Sequence, residues 1–373
     1  MRKLYIVILT VVFSLTLWSM PVLAQDPVQK ELKLNEVVSL ALQKSKSYAK
    51  AKLEVEKAEL DRNNAADDVK YAPTTGDPLL TAAYEPGVQA VFYQFLNANL
   101  TWEMNKKSQT AEEDKLVLDT CKKYWDVQKA QADLKSKELA VVQKESALRR
   151  VQAMVRLGMS PPESATAGPE LALTSSERDL ATARMNLTTA QNTLNSDYET
   201  LNKQIGLMPN ERPALVDEVV YEPLKVDSLE AAMRKAIENS PSIWLAEQKV
   251  NLADYANLFG YSGGSLVDSD IREINVEQSQ LDAVSAKDAA ELLTRGYYYQ
   301  VKTYEDAIPA SEKALKEAEE GYRVAKIYNE LGMSTREDLQ KSEAALADAK
   351  KKLLEAKASH AYYVMAFQKP WAA

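Results

Sequence analysis

The sequence predicts a mainly α-helical chain of two tandem, long coiled-coil hairpins, with at most a short β-hairpin in the first half. Three observations carry that prediction. Helix breakers are scarce, with 11 Gly and 14 Pro in 373 residues, while Ala, Leu, Lys and Glu are abundant. A turn is duplicated, since Leu157-Gly158-Met159-Ser160 returns as Leu331-Gly332-Met333-Ser334. After each copy, leucines fall seven apart, at Leu173, Leu180, Leu187, Leu194 and Leu201 and again at Leu339, Leu346 and Leu353. Alanines three or four places on let two helices approach closely, so the pattern is a coiled-coil seam.

Taken in order, residues 1–24 open with Arg2 and Lys3, run apolar from Leu4 to Trp18 and end Val22-Leu23-Ala24. This is the pattern of a secretory signal peptide. No Cys follows the cleavage point, so a lipid-anchored amino terminus is not expected. Its removal takes the basic residues from 46 to 44 against 54 acids, a net charge of −10, which disfavours nucleic acid as a partner. No later stretch reaches the roughly 18 apolar residues of a membrane-spanning helix. The mature chain is therefore soluble, or meets a bilayer by strands or by an amphipathic surface.

The rest divides into a first helical repeat at 25–208, a connector at 209–226 and a second repeat at 227–373. The halves open alike: Ala41-Leu42-x-x-Ser45-x-Ser47 aligns with Ala236-Ile237-x-x-Ser240-x-Ser242 at an offset of 195. Further on, Tyr124 aligns with Tyr298 and Leu157 with Leu331 at an offset of 174, so the second half is 21 residues shorter between these anchors. In the first half that interval holds Pro73, Pro78, Pro86 and an apolar, aromatic run over 88–102. It reads either as a strand pair at 79–84 and 97–104 or as an apolar helix over 88–96. In the second half only a short link at 259–264 and a polar continuation occupy it.

Residues 106–157 and 282–331 have no break except Pro309, and fifty helical residues make a rod of about 75 Å. The seams are Leu134, Val141, Leu148 and Val155 in the first and Leu315, Ala318, Tyr322 and Ala325 in the second. At each tip the Gly suits the left-handed position after a helix, Ser160 or Ser334 is placed to N-cap the next, and Glu163 or Glu337 completes a capping box. The first tip is longer by eight residues and contains Pro161, Pro162, Gly168 and Pro169, so it is bulkier. Ile205-Gly206 ends a helix, and Pro209, Pro213 and Pro223 mark the connector as extended.

Chemistry is scarce. His360 and Cys121 are the sole residues of their types, which argues against His-based acid/base or metal chemistry and excludes an internal disulfide. His360 shares the heptad spacing of Leu346 and Leu353 and reads as a packed or rim histidine and not a ligand. Carboxylates alternate with Lys along the helices, a solvated face. Tyr297-Tyr298-Tyr299 and Tyr124-Trp125 read as interhelical core, with lining of a conduit as the alternative. With neither a nucleophile motif nor a phosphate-cradling Gly loop, an enzyme is not expected, and no cofactor is implied.

Tandem hairpins, the duplicated Leu-Gly-Met-Ser tip, the Leu/Ala seam and the export signal together resemble the TolC-like outer-membrane efflux protein family over nearly the whole mature chain. The resemblance implies a homotrimer enclosing an α-helical tunnel and working as an efflux or secretion conduit for small molecules or proteins. It also implies helical tips that meet a periplasmic adaptor (a membrane fusion protein) and, with it, an inner-membrane pump. On this resemblance the adaptor-contact residues are Leu157, Gly158, Met159, Ser160, Leu331, Gly332, Met333 and Ser334. Asp338 matches an acidic position at the constricted tunnel end; Lys341 stands where a second acid can occur, and Ser164 occupies the equivalent place in the first half. The family also places strands from each half in a shared outer-membrane β-barrel. Here the second half offers no stretch of the roughly 9 to 11 alternating residues that crossing requires, so the protein is a divergent member with reduced barrel strands. The location implied is the cell envelope: outer membrane by resemblance, periplasm or cell surface if no barrel forms. The rival reading is a structural coiled-coil protein of the envelope that transports nothing.

Overall fold

The run over 88–102 decides the architecture of the first half, because it carries the apolar register of the rod that follows and folds as that rod's first turns. The computed structural model describes residues 31–71, 86–159, 168–259, 261–262, 265–266 and 268–373. Among these the first half contains β1 (Glu31–Leu32), α1 (Leu34–Lys44), α2 (Lys46–Tyr71), α3 (Pro86–Arg156) and α4 (Pro169–Ile205). After β2 (Ala214–Leu215) come α5 (Leu229–Asn239), α6 (Pro241–Phe259), β3 (Tyr261–Ser262), β4 (Ser265–Leu266), α7 (Ser269–Glu330) and α8 (Arg336–Gln368). A single 3-10 turn, Pro370–Ala372, follows α8.

The rods are longer than the sequence predicts. α3 has 71 residues and α7 has 62, about 105 and 93 Å at 1.5 Å per residue. Pro86 starts α3, where a missing N–H costs no intrahelical bond. Pro309 stays inside α7 on its exposed side. Residues 97–104, one arm of the alternative strand pair, are helical, and so is 88–96; residues 79–84, like the signal peptide at 1–24, lie outside the described residues. The antiparallel pair that is described falls in the second half instead, where Tyr261 faces Leu266 and Ser262 faces Ser265. Two residues per strand are far short of a membrane-crossing strand. Among the described residues no helix is long and apolar enough to cross a membrane.

The repeat is structural. α1 and α5 each have 11 residues and each ends on the serine of the shared Ser-x-Ser. Ser45 Oγ lies 3.0 Å from Ser47 Oγ and accepts the Tyr48 N–H, while Ser240 Oγ lies 3.0 Å from Ser242 Oγ and accepts the Ile243 N–H. One residue thus closes the short helix with its backbone N–H and starts the next with its hydroxyl, which is why the motif survives in both halves. α3 is the central element and packs against α1, α2, α4, α6 and α8, whereas α7 packs against α5, α6 and α8.

The connector lies on one face of this helical layer. β1 and β2 pair in parallel, Leu32 opposite Leu215. The fully buried Tyr124 donates its hydroxyl to Leu32 O at 3.2 Å and accepts the Asp217 N–H at 3.1 Å, fastening both strands' surroundings to α3. Gln128 Nε2 donates to Asp217 O, Tyr198 Oη to Pro213 O, and Asn202 Nδ2 to Met208 O and Glu211 O. Around these bonds Leu32, Val37, Val127, Leu201 and Ile205 form the densest core. Gly206, at φ 77°, ends α4 as the sequence predicts.

His360 is packed beneath the same connector. The Tyr221 ring meets it edge-on at 4.9 Å, and Nε2 lies 3.6 Å from Glu305 Oε1, beyond hydrogen-bond length. Glu305 is engaged by the Leu224 N–H and Lys302 Nζ. Burial pushes the His360 pKa below its ordinary value, against the pull of Glu305, so the folded chain holds a neutral imidazole. A lowered base binds its proton more readily when unfolded, so its contribution to stability is present above the unfolded pKa of about 6.5 and is lost as the pH falls through it. Urea midpoints are expected to drop between pH 7 and pH 5, and His360→Leu to flatten that drop. An unchanged slope in the variant would assign the acid sensitivity elsewhere.

Candidate functional site

The two tips are built to one design. At the first, Gly158 has φ 71°, its N–H reaches Val155 O at 3.0 Å and the Met159 N–H reaches Met154 O at 2.9 Å. At the second, Gly332 has φ 71°, its N–H reaches Asn329 O at 3.1 Å and the Met333 N–H reaches Tyr328 O at 2.7 Å. Both are Schellman closures, in which the left-handed glycine turns two helical carbonyls back into use. No atom lies within 4 Å of a Cβ built on either glycine, so conformation and not crowding demands glycine there. Gly158→Val or Gly332→Val is expected to cost about 1–2 kcal/mol, since a β-branched residue is forced to positive φ. Hydrogen exchange that quickens at the mutated turn and nowhere along the distant rods would confirm a local effect.

What the closure leaves over is apolar and exposed. Leu157 and Met159 are 74% and 54% accessible, and Leu331 and Met333 are 66% and 72%. None of the four side chains is needed for the turn, because the bonds that make it are all backbone. Arg150, near the end of α3, pairs with Glu337, in the first turn of α8, at 3.0 Å, so both tips lie at one end of the molecule.

The helix that leaves the second tip is capped one residue later than predicted. Thr335, not Ser334, is the N-cap of α8: its Oγ1 accepts the Asp338 N–H at 3.2 Å, and Asp338 Oδ2 accepts the Thr335 N–H at 3.0 Å. Ser334 lies where the closure hands the chain over; its N–H still bonds Tyr328 O, and its hydroxyl turns back to Ala325 O. The capping carboxylate is therefore Asp338, and Glu337 is released to meet Arg150. The Thr335 hydroxyl and N–H hold the Asp338 pKa below the usual carboxylate range. Ser160, Glu163 and Ser164 lie outside the described residues.

Two features of the surface had no signal in the tip motifs. The Tyr297-Tyr298-Tyr299 trio divides, with Tyr298 against Phe367, Tyr297 toward Tyr363 and Tyr299 58% exposed. Tyr298 is only half buried where its repeat partner Tyr124 is fully buried. Lys351 on α8 pairs with Asp133 on α3 at 2.6 Å, a second ion pair joining the two hairpins. Among the described residues no group of three or more His, Cys, Asp or Glu could hold a metal.

Solved structures match this architecture over some 90% of the chain. CusC, whose crystal structures concern folding and transmembrane channel formation, is 15% identical with a TM-score of 0.63, over 91% of this chain and 92% of its own. The outer-membrane protein VceC of Vibrio cholerae is 12% identical with a TM-score of 0.58, over 91% of this chain and 95% of its own. The CmeC outer-membrane channel of Campylobacter jejuni is 14% identical with a TM-score of 0.55, over 90% and 85%. No protein-family model and no curated protein matches the sequence. The class defined is one of fold: the chain has the fold of the TolC-like outer-membrane channels.

Proposed function

We propose that the chain is one protomer of a homotrimeric α-helical conduit of the cell envelope, which docks a periplasmic adaptor at its tips and exports small molecules or proteins with an inner-membrane pump. The observation that carries this reading is the pair of identically closed tips, each exposing a leucine and a methionine that the turn does not use, on a fold shared with outer-membrane channels. Large side chains held in water in matched pairs are what a docking surface provides. The likeness to those channels supports an outer-membrane location, and the constriction assigned to Asp338 is part of the same proposal.

Assembly follows from the repeat. Within the chain, α3 of the first half packs on α6 of the second. The equivalent pair is α7 with α2, and these helices instead expose apolar stripes: Ile274, Leu281 and Leu292 on α7, Leu53 and Leu60 on α2. Joining α7 of one copy to α2 of the next is a heterologous contact that repeats the internal one and closes a ring. Light scattering on the purified mature protein in detergent tests this, with a trimer expected and Leu281→Glu with Leu292→Glu expected to break it. A monomer in both detergent and buffer would remove the basis of the conduit.

A further inference from the structure

Opposite the connector, the helical layer carries an open cleft of about 340 Å³ where α3, α7 and α8 meet. On α3 the connector holds Tyr124 and Gln128, whereas the cleft takes Lys122, Trp125 and Lys129, roughly a third of a turn away at 3.6 residues per turn. On α8 His360 faces the connector, and Ala358 and Tyr362 face the cleft. The cleft is therefore on the face that the connector leaves uncovered.

Its walls are aromatic and centred on Tyr363. Tyr304 stacks on that ring at 5.7 Å, Tyr362 meets it edge-on at 5.3 Å and Tyr297 lies tilted at 6.2 Å. None of these four hydroxyls has a hydrogen-bond partner among the described residues. Burial and the neighbouring phenols push the Tyr297 and Tyr363 pKa values up, so both remain donors at neutral pH. Small residues, Ala358 and Ser359, leave room between the rings.

The charge at the rim is of one sign once pairs are removed. Asp126 and Lys129 neutralise each other at 2.6 Å. Lys122 has no carboxylate partner among the described residues; its Nζ stands 5.6 Å from the Tyr362 ring centre. A cleft with π faces, unused hydroxyl donors and one uncompensated ammonium matches a planar ring bearing an anionic group. A cation meets Lys122, and an aliphatic acid forgoes the rings.

We propose that this cleft binds small aromatic carboxylates, with the ring against Tyr363 and the carboxylate on Lys122. Service to exported cargo rests on the conduit reading; binding itself does not. The test is calorimetry of the purified full-length mature protein with 1-naphthoate as probe and cyclohexanecarboxylate as its non-aromatic control. Saturable 1-naphthoate binding is expected, about tenfold or more tighter than the control. Lys122→Glu and Tyr363→Leu should each weaken it about tenfold or more, and Lys122→Arg should retain it. Lys122 is exposed, so the charge reversal is expected to leave the fold intact, and circular dichroism checks both variants. Non-saturable binding, equal binding of the two acids, or affinity unchanged by Lys122→Glu overturns the proposal. Export is assayed separately: binding without export overturns the conduit reading, and export without binding overturns the cleft.

Discussion

Replacing Met159 and Met333 together with Asp is expected to abolish the proposed solute export while helicity and oligomeric state stay as in the parent. Both side chains are more than half exposed and take no part in the backbone closure, so folding has no reason to resist the change. Docking does. A carboxylate carried into an apolar contact with no cation to meet it costs several kcal/mol, and two such sites per protomer weaken association by 100-fold or more, on the order of 2.7 kcal/mol. Met159→Leu with Met333→Leu preserves the apolar surface and should preserve export. The measurement is accumulation of an exported solute in cells carrying each double variant, with circular dichroism and light scattering on the purified proteins. Normal export by the Asp pair would reduce the tips to turns.

Tyr124→Ala is expected to remove about 3–5 kcal/mol of stability, the range for truncating a fully buried aromatic. Few positions join so much. The ring is completely buried on α3, and its hydroxyl holds Leu32 O before α1 and Asp217 N after β2. Tyr124→Phe separates the two contributions: it keeps the ring, leaves a buried carbonyl and an N–H without their partner, and should cost about 1–3 kcal/mol. Tyr298→Ala, at the equivalent place in the second half, should cost less, because that ring is only half buried. Urea unfolding of the three variants orders them. A loss under about 1 kcal/mol for Tyr124→Ala would mean that the connector is held by other contacts.

Much of this molecule is written locally. A glycine placed to follow a helix, heptad leucines and a Ser-x-Ser between two helical runs each act on residues a few places away, so the hairpins, the positive φ of the two tip glycines and the end of α4 were legible without a structure. Heptad spacing left His360 either packed or at a rim, and the structure buries it. Where the signal was local but two candidates competed, the reading slipped by one residue: Ser334 and Thr335 both carry a capping hydroxyl, and the extent of the preceding Schellman closure chose Thr335. The aromatic run at the start of α3 suits either a strand or a helix by composition, and continuity with the rod behind it settled the matter.

The repeat, the rods, the tip geometry and the scarcity of reactive groups were determined by the sequence alone, because each depends on near neighbours or on simple counting. Tertiary structure alone decided which face the connector covers, which of two equivalent tyrosines is sealed in the core, and how three helices meet around Tyr363. Those arrangements join residues far apart in the chain, Tyr124 to Leu32 across 92 positions and Tyr304 to Tyr363 across 59 (363 minus 304). No local periodicity records contacts over such separations; they exist only once the helices have packed.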